Sequence, residues 1–198
     1  MITELLTYLT SRSTPEARAF GHLYESIALV HREKRCSKYW LPHRTMCKEF
    51  IISEAIKIPV KKSVLVLGSG PLHEIPLEFL ATHFDSVDLV DVVHLKEISK
   101  QWQHKKNVRF IEKDITALEK EIYHQKKPLE KMPNAFLDAD YSLIISANLL
   151  SQLAFHLRSF LVKKARPALS EEDLDRFAYK VTENHFSYLK KFTCPVIL

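Results

Sequence analysis

Glycine is nearly absent from this chain. Only three of 198 residues are glycine, so the neighbours Gly68 and Gly70 mark a place where the backbone itself must turn. Cysteine is as sparse. Cys36, Cys47 and Cys194 are odd in number and form no Cys-x-x-Cys pair, which excludes a disulfide scaffold and fits a reduced, cytoplasmic setting. No apolar run approaches the roughly 18 residues of a membrane span, and Met1-Ile2-Thr3-Glu4 lacks the basic stretch that opens a secretory signal. Several catalytic signatures are missing too. His73-Glu74 is followed by Leu77 where a zinc protease needs histidine, and the ten histidines show no ligand spacing, so no metal is expected. There is no Gly-Lys-Ser/Thr phosphate loop and no Gly-x-Ser-x-Gly elbow.

What is present is an ordinary globular composition, 46% hydrophobic and 27% charged, with a net charge of +5. The lysines come in pairs, such as Lys61-Lys62, Lys126-Lys127 and Lys163-Lys164, and read as solvated helix ends. A nucleic-acid partner is compatible with the charge, but no RNA- or DNA-binding motif accompanies it.

Residues 1–60 read as a helical segment. Ala17, Phe20, Leu23, Tyr24, Ile27 and Val30 recur at helical spacing over Pro15–Arg32, and a second helix is expected over Thr45–Ile56. Between them lies a basic, aromatic connector, Lys34–Arg44. Its Tyr39, Trp40, His43 and Arg44 form a patch that either packs helices together or serves as a lid or substrate wall.

From residue 61 the texture becomes alternating. Val64–Leu67 is a short β-branched run, as expected of a strand buried on both faces. Gly-Ser-Gly-Pro breaks it, and a helix with Pro76 in its first turn should run to about His83. Strands are expected at Val87–Val90, Val108–Ile111 and Tyr141–Ile145, with a fifth beginning at Val196. Helices are expected over His94–His104, from the Thr116-x-x-Glu119 capping box, over Asn148–Lys164, and from Ser170 to about Lys191. This alternation predicts an α/β fold: a Rossmann-like parallel sheet of order 3-2-1-4-5, truncated at its last strands, behind an N-terminal helical segment. The apolar ending Val196-Ile197-Leu198 suggests a fragment or natural truncation, or a partner or second copy covering that edge.

Such sheets bind ligands at the carboxyl ends of their strands. Gly68, Ser69 and Gly70 sit where the first strand turns, and the N–H groups there are expected to face a ligand. Asp91 closes the second strand 21 positions after Gly70. Its carboxylate can accept hydrogen bonds from both ribose hydroxyls of an adenosine, and Val92 adjoins it. As a strand-end acid beside solvent, Asp91 is expected to matter little for folding. Asp88 is the weaker competitor, lying inside the apolar run.

The order strand–Gly-x-Gly–helix, strand–Asp, helix, strand–x-x-Asp, then strand–Ser146-Ala147-Asn148 resembles the class I S-adenosylmethionine-dependent methyltransferases. The resemblance spans residues 61–198. It implies S-adenosylmethionine as cofactor, Asp114 at the adenine amino group, Ile115 against the ring, and Asn148 under the methionine part. The family has an acid two places before the first glycine, where Val66 stands, and often a third glycine where Leu72 stands. Glu74 is then the nearest carboxylate for the methionine amine. The spelling Gly-Ser-Gly-Pro-Leu is also similar to nicotianamine synthases, which move an aminocarboxypropyl group from the same cofactor. The resemblance identifies neither the methyl acceptor nor a catalytic residue. Two readings on the same fold compete: a degenerate, non-catalytic binding module and an NAD-dependent enzyme. The second would need glycine at His73.

Overall fold

Five strands form one parallel sheet: β1 (Ser63–Leu67), β2 (Ser86–Asp91), β3 (Val108–Glu112), β4 (Leu143–Ser146) and β5 (Val196–Ile197). Their order is β3-β2-β1-β4-β5. The computed structural model describes residues 2–147 and 149–198. The expected Rossmann-like order is therefore observed, with β1 central, and the reason is visible in its residues. Val64, Leu65, Val66 and Leu67 are all fully buried, so this run can lie only where helices cover both faces.

Alternate residues divide the core. Leu65, Leu67, Val90 and Ile144 face α6 (Glu119–Gln125), α7 (Phe155–Lys164) and α8 (Glu171–Leu189). Val64, Val66, Val87, Leu89 and Ile145 face α4 (Leu77–His83) and α5 (Lys96–Trp102). Asp88 shares the first face and is buried. Its carboxylate accepts from Arg109 Nε and Nη2, both at 2.6 Å, and from the Tyr141 hydroxyl at 2.8 Å. It is a structural acid, and it holds Tyr141 above its ordinary pKa after burial has done most of the work.

The N-terminal segment departs most from expectation. α1 (Ile2–Thr10) and α2 (Pro15–Phe20) are short, and α3 runs unbroken over His22–Ile56, straight through the expected connector. Thr14 caps α2 by accepting from Ala17 N at 3.1 Å. Gly21, at φ +88°, ends α2 and starts α3, so the helix predicted over Pro15–Arg32 is split there. Pro42 lies inside α3. The missing N–H and ring clash are tolerated because this stretch is exposed, where water can take the freed carbonyl.

Smaller corrections concern where the helices begin. α4 starts only at Leu77, after Pro76, so residues 68–76 form a loop rather than the start of a helix. The Thr116–Glu119 capping box does not form. Asp114 caps α6 instead, accepting from Leu118 N at 2.8 Å and Glu119 N at 2.9 Å. α5 is trimmed to Lys96–Trp102, and α7 begins at Phe155. Ser170 caps α8 as expected, accepting from Asp173 N at 3.1 Å.

Candidate functional site

The carboxyl ends of β1 and β2 meet at a latch. Gly68 N and Ser69 N both donate to Val90 O, at 2.9 and 3.1 Å. Gly70 N donates to Asp91 Oδ2 at 2.7 Å, while Asp91 Oδ1 accepts from Val92 N at 2.7 Å. The sequence thus correctly paired the glycine turn with Asp91, but two expectations change. The N–H groups of residues 68–70 are committed to β2 rather than aimed at a ligand. Asp91 also holds the turn together, so it contributes to folding.

The two other glycine-site features are steric. At φ +69°, Gly68 would place a Cβ 2.7 Å from Leu149 Cδ1. Gly70, at φ +49°, has nothing within 4 Å of that position among the described residues. Leu72 occupies the place where the resembling family often has a third glycine. Its φ is +67° and it is buried, so a glycine conformation is kept here by a side chain that packing pins down.

Two of the four acceptor positions on the Asp91 carboxylate are used by the chain, which leaves two for ribose hydroxyls. Among the described residues, the buried Ser69 hydroxyl has no hydrogen-bond partner. These features fit the sugar of an adenosyl group. Asp114 is different, because Thr116 N (2.8 Å), Thr116 Oγ1 (2.6 Å), Leu118 N and Glu119 N occupy all four of its acceptor positions. Ile115 is buried in the main core, Val92 packs with the N-terminal helices, and Glu74 lies half-buried in the loop. Asn148 lies outside the described residues.

The N-terminal helices cover this latch. Ala17, Leu23 and Ile27 pack with Val93 and Leu95, just beyond Asp91. Ser26 closes a crevice with Gly70, Pro71, Val93, Leu95 and Ile98 that is too tight to admit a water molecule. A cleft of about 250 Å³ opens next to it, lined by residues including Ile27, His31, Lys34 and Glu97.

Beside the latch stands a group the sequence reading missed. His22 Nε2 lies 2.5 Å from Glu119 Oε1. Burial pulls the imidazole down, but Glu119, with Asp91 and Asp114 beyond it, carries it above its ordinary value. Burial also lifts the Glu119 carboxyl, against the pull of His22. The His156 ring lies 4.3 Å from that of His22, and its Nδ1 donates to Phe20 O at 2.9 Å. Burial, and then His22, holds His156 down to about 4. The one available clue was Gly21, the third glycine, which places His22 at the start of α3. Deeper in the sheet, the buried Ser146 hydroxyl lies 3.1 Å from His185 Nε2. Among the described residues, no three of His, Cys, Asp or Glu gather as metal ligands, and no helix is long and apolar enough to cross a membrane.

No family model matches the chain, and no curated protein matches it. Among solved structures, it is similar to the YcgJ protein of Bacillus subtilis, at 17% identity and a TM-score of 0.39. The alignment covers 78% of this chain and 63% of that one, so the chain spans less than two thirds of the protein it matches.

Proposed function

We propose that this chain is a Rossmann-like S-adenosylmethionine-dependent methyltransferase, with residues 61–198 as the cofactor domain and residues 1–60 as its cover. The observation that carries this reading is Asp91. A carboxylate at the end of β2 is pinned against the Gly70 turn with two acceptor positions to spare, beside the unpartnered Ser69 hydroxyl. When bound, the cofactor supplies a methyl group on a sulfonium. The chain's part is then to position and to exclude water, and a base is needed only where the acceptor carries a proton. Asp91 would orient the ribose, Gly70 would allow close approach, and the first turns of α3 would seal the site.

A second reading has its own support. The closed crevice at Ser26 and the saturated Asp114 carboxylate suit a non-catalytic module that kept the fold. Thermal shift and calorimetry with S-adenosylmethionine, S-adenosylhomocysteine and NAD distinguish the two. The methyltransferase reading expects stabilisation by both adenosyl ligands and none by NAD. No binding by either adenosyl ligand refutes it in favour of the second.

A further inference from the structure

We infer that the outward face of α3 is a binding surface for single-stranded nucleic acid. Between Glu33 and Ile51 this helix has no buried residue, so for about four and a half turns it lies along the surface with one side uncovered. At 100° per residue, Arg32, Arg35, Tyr39, His43, Met46 and Phe50 fall within an arc of about 80°. Glu33, Ile51 and Ala55 lie on the side turned to the body, all three buried. Tyr39 is 80% exposed, Met46 68% and Phe50 53%.

Charge identifies the partner. Residues 31–50 hold six Lys or Arg residues and two Glu, and one of those acids, Glu33, is buried against Arg44. The ion pairs of Arg32 with Glu25 and of Arg35 with Glu4 are both 3.8 Å long, and only Glu4 among their four side chains is partly buried. Such pairs are weak enough to yield to a phosphate. The surface therefore presents cations and flat rings on one line about 27 Å long. That combination tracks a phosphate backbone while bases stack on the aromatics.

Two other partners fit less well. A helix lying in a membrane surface separates its cations from its apolar face, whereas Arg32 and Arg35 share the arc of Tyr39 and Phe50. A second copy would bring the same patch against itself and set cation against cation. The inference holds whether or not the latch at Gly70 takes an adenosyl ligand.

The test uses the full chain and a fluorescein-labelled oligouridylate of about 16 nucleotides, titrated by anisotropy between about 50 and 200 mM salt. Binding is expected in the range of about 1–100 µM. With Arg32, Arg35 and Lys38 on phosphates, its logarithmic salt slope should be about −2. Tyr39→Ala and Phe50→Ala should each weaken binding about tenfold, and Arg32→Glu with Arg35→Glu should abolish it at the higher salt. Circular dichroism should show unchanged helix content, since these side chains are exposed. Absence of binding overturns the proposal, as does binding that ignores all four substitutions. Equal affinity for a DNA duplex, with Tyr39→Ala silent, also overturns it. So does a dimer that Tyr39→Ala dissociates, or capture by phosphatidylserine vesicles with no affinity for the oligonucleotide.

Discussion

Replacing Asp91 with alanine removes two things at once, and they can be measured separately. The first is the latch. Gly70 N and Val92 N each lose a carboxylate acceptor at 2.7 Å. Hydrogen bonds to charged groups are worth about 1.5–3 kcal/mol each. The carboxylate is half-buried, and water reaches part of what is left behind, so the combined loss is about 2–3 kcal/mol. That is a large share of the roughly 5–15 kcal/mol that holds a domain folded. The second is the proposed ribose contact, where losing one such acceptor would lower affinity for S-adenosylhomocysteine by about 10- to 150-fold. Urea unfolding reads the first, and calorimetry at a temperature where the variant is folded reads the second. Asp91→Asn should lie between the two proteins in stability, because its amide keeps one acceptor but points a donor at the other N–H. A variant within about 0.5 kcal/mol of wild type would refute the latch. Equal affinities, with wild-type binding established, would remove Asp91 from the site while leaving the latch intact.

Gly68→Ala should cost more stability than Gly70→Ala. Both pay about 1–2 kcal/mol for a positive φ, but only the first meets a neighbour, Leu149, at 2.7 Å; equal unfolding midpoints would contradict this. Stability should also fall in acid through His185. Burial holds its imidazole down to about 4, while the unfolded chain takes up a proton near 6.5. The stabilisation is thus complete above about pH 6.5 and about 3 kcal/mol is lost as pH falls toward 4. His185→Gln should flatten that limb of the unfolding curve, and an unchanged slope would show that another group governs it.

The legible part of this molecule was its sheet. An uninterrupted apolar run such as Val64–Leu67 has one low-energy place, the centre, and period and length separate it from the helices around it. The meeting of Gly70 with Asp91 followed from the same order. What sequence could not carry was competition for hydrogen bonds. Thr116-x-x-Glu119 is a sound capping box locally, yet Asp114 reaches the same N–H groups first and frees Glu119 for His22, 97 residues away. Likewise Lys34–Arg44 looks like a connector because of Pro42, but it contains no glycine and many good helix formers, and exposure lowers the proline's cost. Leu72 shows the reverse case. Nothing in its side chain suggests a positive φ, and only the turn from Ser69 O to Leu72 N, 3.1 Å, together with its burial, keeps it there.

These placements make entry to the site a question of α3. Ser26 lines the tight crevice at Gly70, so under the proposed function an adenosyl ligand would enter by lifting the first turns of α3 from Val93 and Leu95. What resists lifting is a small satellite cluster, Ala17, Leu23, Ile27, Val93 and Leu95, rather than the main core. Ile27 is 4% exposed at its centre. Ile27→Ala should destabilise the closed arrangement by about 2 kcal/mol, at the low end for such truncations because the cluster is small and near the surface. If the open form is the one that binds, its population, and hence the association rate, rises by about thirtyfold. Stopped-flow mixing with S-adenosylhomocysteine reads that rate directly, and the melting temperature should fall in parallel. A lower melting temperature with an unchanged association rate would mean that α3 does not gate the site. The ligand would then enter from the cleft beside His31 and Lys34, past Leu95, which lines both spaces.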